Sequence, residues 1–214
     1  MSEQQFAVVV PVKPPARGKS RLVGVADRHR RALAEAFALD TVTAALASDR
    51  VGQVLAVTDD VHLATALGAL GCSAIPDGVS ADLNGSLRQA AAEAGRRWPE
   101  HAVAALCADL PALRPDDLDA ALDRAAGLVA EGRACFVADA AGVGTTLYCA
   151  PHDRFAPRFG ADSRAAHLAT GAVEIAGDLV SLRRDVDDVD DLAAAGRLGL
   201  GAHTLSATIE PLTQ

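Results

Sequence analysis

The first strand-like segment of the chain is apolar at every position, and this feature constrains the fold more than any other. Residues 6–12 read Phe-Ala-Val-Val-Val-Pro-Val, without the alternation of apolar and polar side chains that a half-solvated strand shows. A continuous apolar run of this length is typical of a strand buried on both faces of a parallel sheet. We therefore expect a parallel sheet with helices on both sides.

Helix-like and strand-like segments alternate regularly along the first half of the chain. The further predicted strands here span residues 54–57, 72–75 and 102–107. The predicted helices span residues 27–49, 61–70 and 82–97, and a fourth begins at Arg114. Short connections between these segments indicate parallel βαβ units, which bind ligands beyond the carboxyl ends of their strands. The predicted fold class is therefore α/β.

The second half of the chain is less regular. Four strands and a closing helix are predicted here, over residues 134–138, 145–149, 173–175, 182–185 and 189–198. The first two of these strands flank a glycine-rich turn, which predicts a small antiparallel excursion from the sheet. We expect the tail after Gly199 to be loose. No repeat or linker divides the sequence, so we predict one domain over residues 1–214 with its core at about 6–198.

The composition argues against several classes of protein. A chain of 214 residues that is 50% hydrophobic can bury about 70% of its unfolded surface, enough for one core without disulfides. The four cysteines form no Cys-x-x-Cys pair, so we expect buried free thiols. The 28 acidic residues outnumber the 20 basic ones, which argues against nucleic acid or an anionic membrane as partner. No signal-like start and no apolar run of about 20 residues is visible, so we expect a cytoplasmic protein.

A basic loop follows the first predicted strand. Residues 13–21 read Lys-Pro-Pro-Ala-Arg-Gly-Lys-Ser-Arg. Backbone amides and cationic side chains at the carboxyl end of a strand can hold the phosphates of a nucleoside triphosphate. The loop lacks the glycine spacing of a Walker loop and of a Gly-x-Gly-x-x-Gly motif. The residues alone therefore leave two alternatives open, a phosphate site and a solvated basic loop.

Acidic residues follow three of the predicted strands. These residues are Asp59 with Asp60, then Asp109, and then Asp185 with Asp187. Two carboxylates in contact repel by roughly 4 kcal/mol at a surface-like effective dielectric. A divalent cation such as Mg²⁺ would remove that penalty and hold phosphate oxygens. The alternative is that the acids cap helices or close turns. The acids that we expect to cap or solvate the closing helix are Asp188, Asp190 and Asp191.

Two later turns carry weaker signals for a small anion. Residues 142–146 and 159–163 supply hydroxyl groups, backbone amides and the start of a helix. The histidines lack metal-ligand spacing and a nearby nucleophile. We therefore interpret His62, His152 and His167 as surface or helix-face residues.

Short segments in a fixed order along the chain together resemble one family. These segments are Val10–Lys13, Gly18–Leu22, Asp82–Asn84, Ala108–Pro111, Gly144–Leu147, Phe159–Ser163 and Asp185–Asp187. In this order they resemble the guanylyltransferases of coenzyme F420 biosynthesis, which act on phosphoenolpyruvate or 2-phospho-L-lactate. The resemblance extends from about Phe6 to Leu198 and implies a Rossmann-like nucleotidyltransferase fold of the glycosyltransferase-A type.

The resemblance also implies roles for individual residues. The acceptor-binding positions would be Thr145, Gly160 and Ser163, and the metal-binding acids would be Asp109, Asp185 and Asp187. The implied catalytic residues are Lys19, Arg21 and Asp109. The implied nucleotide-binding residues are Lys13, Lys19, Ser20 and Asn84. The implied cofactor is Mg²⁺, with GTP as co-substrate, and the basic side chains would hold the departing pyrophosphate.

Selection of guanine is less visible in the sequence. The candidate segments are Thr58, Pro76–Asp77 and Asp82–Asn84, because base selection usually rests on backbone groups and a few side chains in loops. Asn84 is compatible with a contact to ribose or base, and equally with a helix cap.

The implied reaction joins the phosphate of phosphoenolpyruvate to the α-phosphorus of GTP and releases pyrophosphate. Two other acceptors, 2-phospho-L-lactate and 3-phosphoglycerate, remain alternatives. A sugar-phosphate or molybdenum-cofactor nucleotidyltransferase would share the sheet and the acids, but its Gly-Gly-x-Gly-x-Arg loop is missing here. A non-catalytic nucleotide-binding module would bind GTP without turnover. The oligomeric state stays open.

Overall fold

The computed structural model describes residues 4–12, 27–78 and 82–209. The basic loop after the first strand lies outside these residues. The predictions for Lys13, Lys19, Ser20 and Arg21 are therefore not tested by the structure.

Strands and helices alternate in the predicted order. The strands are β1 (Phe6–Pro11), β2 (Val51–Val57), β3 (Ser73–Ile75), β4 (Ala102–Leu106), β5 (Cys135–Ala138), β6 (Thr145–Ala150) and β7 (Val173–Glu174). The α-helices are α1 (Asp27–Leu46), α2 (Val61–Ala69), α3 (Leu83–Arg97), α4 (Pro115–Ala130), α5 (Ser163–Ala169), α6 (Val189–Leu198) and α7 (Ala202–Ile209). A single 3₁₀ turn over His152–Arg154 follows β6.

The strands form one mixed sheet in the order β3-β2-β1-β4-β6-β5-β7. β1 pairs in parallel with β2 and β4, whereas β6 is antiparallel to both β4 and β5. β7 is parallel to β5. Among the strands of the described residues, β6 alone therefore runs against the others. Its first residue lies at the edge where the other strands end, which confirms the predicted parallel sheet with an antiparallel excursion.

Helices cover both faces of the sheet, as the apolar run in β1 predicted. Val8 and Val10 pack in a cluster with residues of α1, α2 and α4. Ala7 and Val9 point to the opposite face and pack in a second cluster with residues of α3. All four side chains are fully buried, which explains why β1 shows no polar alternation. In the described part of the chain, no helix combines the length and apolar character that crossing a membrane requires.

The cysteines carry no disulfide. Cys72, Cys135 and Cys149 are buried, as expected for structural thiols. Burial raises the pKa of the Cys72 thiol to about 11, so this side chain stays protonated and unreactive at neutral pH.

The strand predicted over residues 182–185 is wrong. Residues 181–183 form a turn and the next residues are irregular. The guanidinium of Arg183 donates to the carbonyls of Ala138 (2.9 Å) and Ile175 (3.0 Å). The backbone carbonyl of Arg183 accepts the N–H of Ala140 (2.7 Å). The segment is therefore held at the ends of β5 and β7 by a long side chain, and it does not extend the sheet.

The expectation of a loose tail after Gly199 does not hold for its described part, which ends at Ile209. Residues Ala202–Ile209 form α7, and the carboxylate of Asp40 in α1 accepts the N–H groups of His203 (3.0 Å) and Thr204 (2.8 Å) at its start. Ala207 of α7 packs against a third apolar cluster that contains Phe37 of α1. The packed core consequently extends beyond residue 198.

Candidate active site

Acidic residues collect at the edge of the sheet where the parallel strands end. Asp109 follows β4, Asp139 directly follows β5, and Thr145 begins β6 between them. Adjacent strands lie about 4.8 Å apart, so these three positions are neighbours along the edge. The strand order thus places the predicted metal ligand Asp109 and the predicted acceptor residue Thr145 in the same region. Asp139, which was not among the predicted site residues, lies there as well.

The backbone around Asp109 is held by two hydrogen bonds. The hydroxyl of Thr41 in α1 donates to the carbonyl of Phe37 (2.7 Å) and accepts the N–H of Leu110 (3.0 Å). The carbonyl of Asp109 accepts the N–H of Val186 (3.0 Å). Leu110 is fully buried and anchors the turn in the core. Asp109 and the segment around Val186 are therefore joined directly, although they are far apart in sequence.

The segment Asp185–Val186–Asp187 combines a buried anchor with two acids. Val186 is fully buried in the cluster that contains Leu33, Phe37 and Ala195. The acids on either side of it remain only partly exposed at the sheet edge. This placement agrees with the predicted proximity of Asp185 and Asp187 to Asp109, although the backbone that achieves it is a loop.

The acids that follow form the predicted helix cap. The side chain of Asp188 accepts the N–H groups of Asp190 and Asp191, each at 2.9 Å. The side chain of Asp191 accepts in return the N–H of Asp188, which completes a capping box at the start of α6. Capping by Asp188 and Asp191 is therefore confirmed, and it separates these structural acids from Asp185.

The surroundings of the acid cluster change the pKa of Asp185. Burial raises the pKa of Asp185 to about 7, and the nearby charges of Asp109, Asp139 and Asp187 add to this shift. Within the described residues, no group of three or more His, Cys, Asp or Glu side chains has the geometry of a preformed metal site. Mg²⁺ is usually held by one or two carboxylates together with substrate phosphates and water. The hard oxygen donors of Asp109, Asp185 and Asp187 fit such an ion, which would also relieve their repulsion.

Asp139 closes the turn between β5 and β6. Its Oδ1 accepts the N–H of Val143 (2.9 Å) and its Oδ2 accepts the N–H of Gly144 (2.7 Å). A Cβ atom on residue 144 would lie 2.4 Å from Oδ2 of Asp139, so any other residue at this position would displace the carboxylate from its bonds to the turn. The turn delivers the chain into β6 at Thr145. An acid at the end of a predicted strand was the signal that could have identified Asp139.

An irregularity in the β5–β6 pairing redirects Thr145. Val137 pairs with Leu147, but the next residue of β5, Ala138, pairs with Thr145, so Thr146 is an extra residue. A bulge of this kind changes the face to which the neighbouring side chain points. The hydroxyl of Thr145 consequently lies 3.0 Å from Nδ1 of His167.

His167 is a central residue of this region. Of the two predicted placements, surface or helix face, the helix face is correct, because His167 lies in α5, and the surface is wrong. Its side chain is fully buried, and its Nε2 lies 2.8 Å from the backbone nitrogen of Arg158. The ring stacks on Tyr148 (centroids 4.8 Å apart) and on Phe136 (5.2 Å). Burial lowers the pKa of His167 to about 4, and the positive charge of Arg158 contributes in the same direction.

A sequence signal for His167 did exist. The residue follows Ser163 by four positions in α5, which places both on one face of the helix. Both side chains are buried. The loop before this helix carries the predicted acceptor residue Gly160, so the pattern Ser-x-x-x-His could have linked the histidine to the acceptor segment.

The loop over residues 158–163 is anchored by Asn84. Its Oδ1 accepts the N–H of Phe159 (2.8 Å), and its Nδ2 donates to the carbonyl of the same residue (2.9 Å). Gly160 has φ +139°, a conformation that other residues rarely adopt. The N–H of Arg164 donates to the carbonyl of Val143 (3.0 Å), which joins the loop to the β5–β6 turn. The loop that carries Gly160 and Ser163 is thus held by Asn84 on one side and joined on the other to the turn that leads into Thr145.

A separate cleft of about 410 Å³ lies at the ends of β2 and β3. Thr58 and Pro76, two of the candidates for guanine selection, line it together with Asp59 and Asp60. Oδ1 of Asp60 accepts the N–H of Leu63 (3.0 Å) and so caps α2, and the carboxylate of Asp59 accepts the N–H of Asp77 (2.9 Å). The two acids thus shape the wall of the cleft through bonds to the backbone.

Comparison with known proteins identifies the family. The family model described as "Guanylyl transferase CofC like" matches residues 6–194. The chain belongs to this family. A protein named phosphoenolpyruvate guanylyltransferase from Salinispora arenicola (strain CNS-205) is 49% identical over 203 residues, which cover 94% of this chain and 92% of that protein. Membership in the guanylyl transferase CofC-like family confirms the resemblance inferred from the ordered segments.

Solved structures of lower identity share the fold of this CofC-like chain. A 4-diphosphocytidyl-2C-methyl-D-erythritol synthase superposes with a TM-score of 0.59 at 13% identity, covering 92% of this chain and 99% of that one. A protein of Mycobacterium tuberculosis H37Rv in complex with manganese superposes with a TM-score of 0.50 at 19% identity, covering 90% of this chain and 98% of that one. At these identities the likeness establishes the fold, and the predicted nucleotidyltransferase architecture is confirmed.

Proposed function

We propose that this chain transfers a guanylyl group from GTP to phosphoenolpyruvate and forms enolpyruvoyl-2-diphospho-5'-guanosine in coenzyme F420 biosynthesis. A phosphate oxygen of phosphoenolpyruvate attacks the α-phosphorus of GTP. The bond from the α-phosphorus to the oxygen that bridges to the β-phosphorus breaks, and pyrophosphate departs with that electron pair. The observation that carries the proposal is the union, at one sheet edge, of the acid cluster with the acceptor segments around Thr145 and Ser163.

The strand order supports a definite path for the nucleotide. The cleft at β3 and β2, the end of β1 and the acids after β4 follow one another along the sheet edge. Two strand spacings amount to about 10 Å, a span that suits the distance from the base of a nucleotide to its phosphates. We infer that the base occupies the cleft, that residues 13–21 take the β- and γ-phosphates, and that the α-phosphate lies near Asp109.

The acids of the cluster have a clear task in this arrangement. Asp109, Asp185 and Asp187 would hold Mg²⁺, which supplies positive charge against the charge of the substrate phosphates. Asp185 with a pKa of about 7 is only partly ionised near neutral pH as long as its acidic neighbours are uncompensated. The hydrogen bond from Val186 to Asp109 keeps the two acidic segments together before substrates arrive.

The acceptor side supplies hydrogen-bond donors rather than a base. The phosphate of phosphoenolpyruvate is already anionic at neutral pH, so its oxygen attacks without prior loss of a proton. Thr145, the amide of Gly160 and Ser163 at the start of α5 would be the donors that orient it. Phosphoryl-type transfer depends mainly on alignment and charge stabilisation, which hydrogen-bond donors and a cation can provide.

A panel of acceptors and nucleotides tests the proposal. The purified protein is given Mg²⁺ and GTP with phosphoenolpyruvate, 2-phospho-L-lactate or 3-phosphoglycerate, and pyrophosphate release is followed for each pair. We expect the highest kcat/KM with phosphoenolpyruvate, and loss of rate when ATP or CTP replaces GTP. Preferential release with phospholactate would change the acceptor but keep the reaction. Silence with all three acceptors, in protein with an intact thermal transition, would contradict guanylyl transfer.

A further inference from the structure

We propose that His167 is a positioning residue for the acceptor: its ring fixes the direction of the Thr145 hydroxyl proton and ties the loop over residues 158–163 to β6. The inference rests on the proposed function, because it assigns a task to the same acceptor site. The proton of the Thr145 hydroxyl then points away from the ring and is available to a phosphate or carboxylate oxygen of the acceptor.

The tautomer of His167 follows from its backbone partner. A backbone N–H is only a donor, so the nitrogen of Arg158 at 2.8 Å requires Nε2 of His167 to be an acceptor. In a neutral ring the single proton is consequently on Nδ1. Nδ1 lies 3.0 Å from the hydroxyl oxygen of Thr145, and its proton is shared between that oxygen and the backbone carbonyl of Ser163, so the Thr145 hydroxyl cannot donate to the ring. The orientation of both groups is thus decided by one fixed peptide bond.

The hydroxyl of Thr145 is left with a donor to offer. A hydroxyl group has one proton and two lone pairs, and the donation from Nδ1 occupies one lone pair. Thr145 is 5% exposed, and the contact with His167 is the hydrogen bond that its hydroxyl makes within the described residues. An anionic acceptor needs donors, so the ring converts a hydroxyl that is able to donate or accept into one that donates outward.

The ring is held rigidly enough for this task. It lies between Tyr148 and Phe136, inclined by 24° and 30° to their planes, and the edge of Phe159 closes a third side with centroids 5.6 Å apart. Burial keeps the ring neutral by lowering its pKa to about 4, and a cationic ring would lose the bond from Arg158. A neutral and immobile imidazole therefore holds the two acceptor segments in one arrangement.

Two substitutions separate the two contacts of the ring. In His167→Asn the side-chain amide nitrogen takes the place of Nδ1, so the donor to Thr145 is kept and the acceptor for Arg158 is lost. In His167→Gln the amide oxygen takes the place of Nε2, so the acceptor for Arg158 is kept and the donor is lost. Steady-state kinetics then report KM for phosphoenolpyruvate and for GTP separately. A thermal transition for each variant establishes that it is folded.

The expected result is a change confined to the acceptor. Loss of one oriented hydrogen bond to an anion corresponds to about a tenfold increase in KM for phosphoenolpyruvate in His167→Gln. We expect the KM for GTP to stay within about twofold of that of the unsubstituted protein in both variants. His167→Asn, which keeps the donor to Thr145, should also keep the KM for phosphoenolpyruvate of the unsubstituted protein. In a Thr145→Val background, replacement of His167 by Gln has no further effect on this KM, because the group through which it acts is gone.

Two results would overturn the inference. One is an acceptor KM in folded His167→Gln equal to that of the unsubstituted protein. The other is that His167→Gln raises the KM for phosphoenolpyruvate by the same factor in the Thr145→Val background as in the unsubstituted protein. This result would show that the ring does not act through Thr145. If the unsubstituted protein transfers to no acceptor, the proposed function is contradicted, but the tautomer of His167 can still be tested. ¹⁵N NMR of the imidazole measures it without turnover. The Nδ1–H tautomer at pH 7 is expected, and an Nε2–H or cationic ring would contradict it.

Discussion

The backbone N–H of Val186 donates to the carbonyl oxygen of Asp109 across 3.0 Å, and this bond joins the two acidic segments of the site. Residue 186 is fully buried, so the acids on either side of it are held at the sheet edge by a packed side chain. The carboxylates are therefore placed by the protein itself, and burial together with repulsion from the neighbouring acids raises the pKa of Asp185 to about 7. This arrangement makes the function of the cluster accessible to simple substitutions.

Replacement of Asp109 by Asn should abolish transfer and leave the fold intact. The amide keeps the size of the side chain but removes a charge that the proposed site uses to hold its cation, so we expect kcat/KM to fall by about 100-fold or more. Asp190→Asn is a matched control, because this exposed acid in the first turn of α6 lies outside the cluster. Unchanged turnover in folded Asp109→Asn would remove the metal assignment.

The pH dependence of stability should reveal the burial of Asp185 among other acids. The pKa of Asp185 is raised from 3.8 to about 7, so the folded state holds its proton over a range in which the unfolded state has released it. This contribution is fully present below pH 4 and is lost as the pH rises to about 7. Relative to the unsubstituted protein without metal, Asp185→Asn should gain about 4 kcal/mol of unfolding free energy between pH 4 and pH 8. Urea unfolding at both pH values measures the difference, and a constant difference would contradict the cluster.

The buried ring of His167 should make stability rise with pH, in contrast to the effect of Asp185. Its pKa is lowered from 6.5 to about 4, so the unfolded state takes up a proton before the folded state does. The stabilisation is fully present above pH 6.5 and is lost as the pH falls through this window, by about 3 kcal/mol in total. His167→Gln should lack this loss, whereas substitution of the exposed His62 by Gln should retain it. Identical acid profiles for His167→Gln and the unsubstituted protein would contradict a neutral buried ring.

Asn84 offers a choice between two roles. The family resemblance implies a contact with the nucleotide, whereas the side-chain amide of Asn84 pairs with both backbone groups of Phe159, next to the proposed acceptor residue Gly160. Asn84→Asp keeps the acceptor for the N–H of Phe159 but sets a carboxylate oxygen against the carbonyl. We expect about a tenfold increase in KM for phosphoenolpyruvate with little change for GTP. An increase confined to the KM for GTP would instead assign Asn84 to the nucleotide.

The cap from Asp40 to α7 should contribute measurably to stability. Asp40 is buried and accepts two backbone N–H groups at the start of that helix, so Asp40→Ala leaves both without this partner. We expect a loss of about 2 kcal/mol in unfolding free energy and faster amide exchange in residues 202–209. Substitution of the exposed Asp49 by Ala serves as the control. Exchange in α7 that is unaffected by Asp40→Ala would contradict the cap.

The sequence was sufficient to predict those features that depend on local pattern. The unbroken apolar run of β1 indicates a strand with both faces covered, and the acid after β4 follows from the rule that ligands bind beyond strand ends. The capping role of Asp188 is equally local, since its partners are two and three residues away.

The features that could not be predicted depend on contacts between distant segments. Asp40 and Thr204 are 164 positions apart, and no local pattern shows that one caps the helix of the other. Residues 182–185 form no strand, because the guanidinium of Arg183 holds this segment by hydrogen bonds to carbonyls at the ends of two other strands. The burial of His167 on its helix face could not be predicted, because its partners, Thr145 and the backbone of Arg158, meet it only through a bulge and a folded loop.

The most direct test of the central claim is the identity of the product formed from GTP and phosphoenolpyruvate whose phosphate carries ¹⁸O. Mass spectrometry of the quenched reaction should show a species equal to phosphoenolpyruvate plus GTP minus pyrophosphate, which retains all of the label. The pyrophosphate should contain none, because the bond that breaks lies within GTP. Label in the pyrophosphate, or GMP without a joined product, would contradict guanylyl transfer to phosphoenolpyruvate at this site.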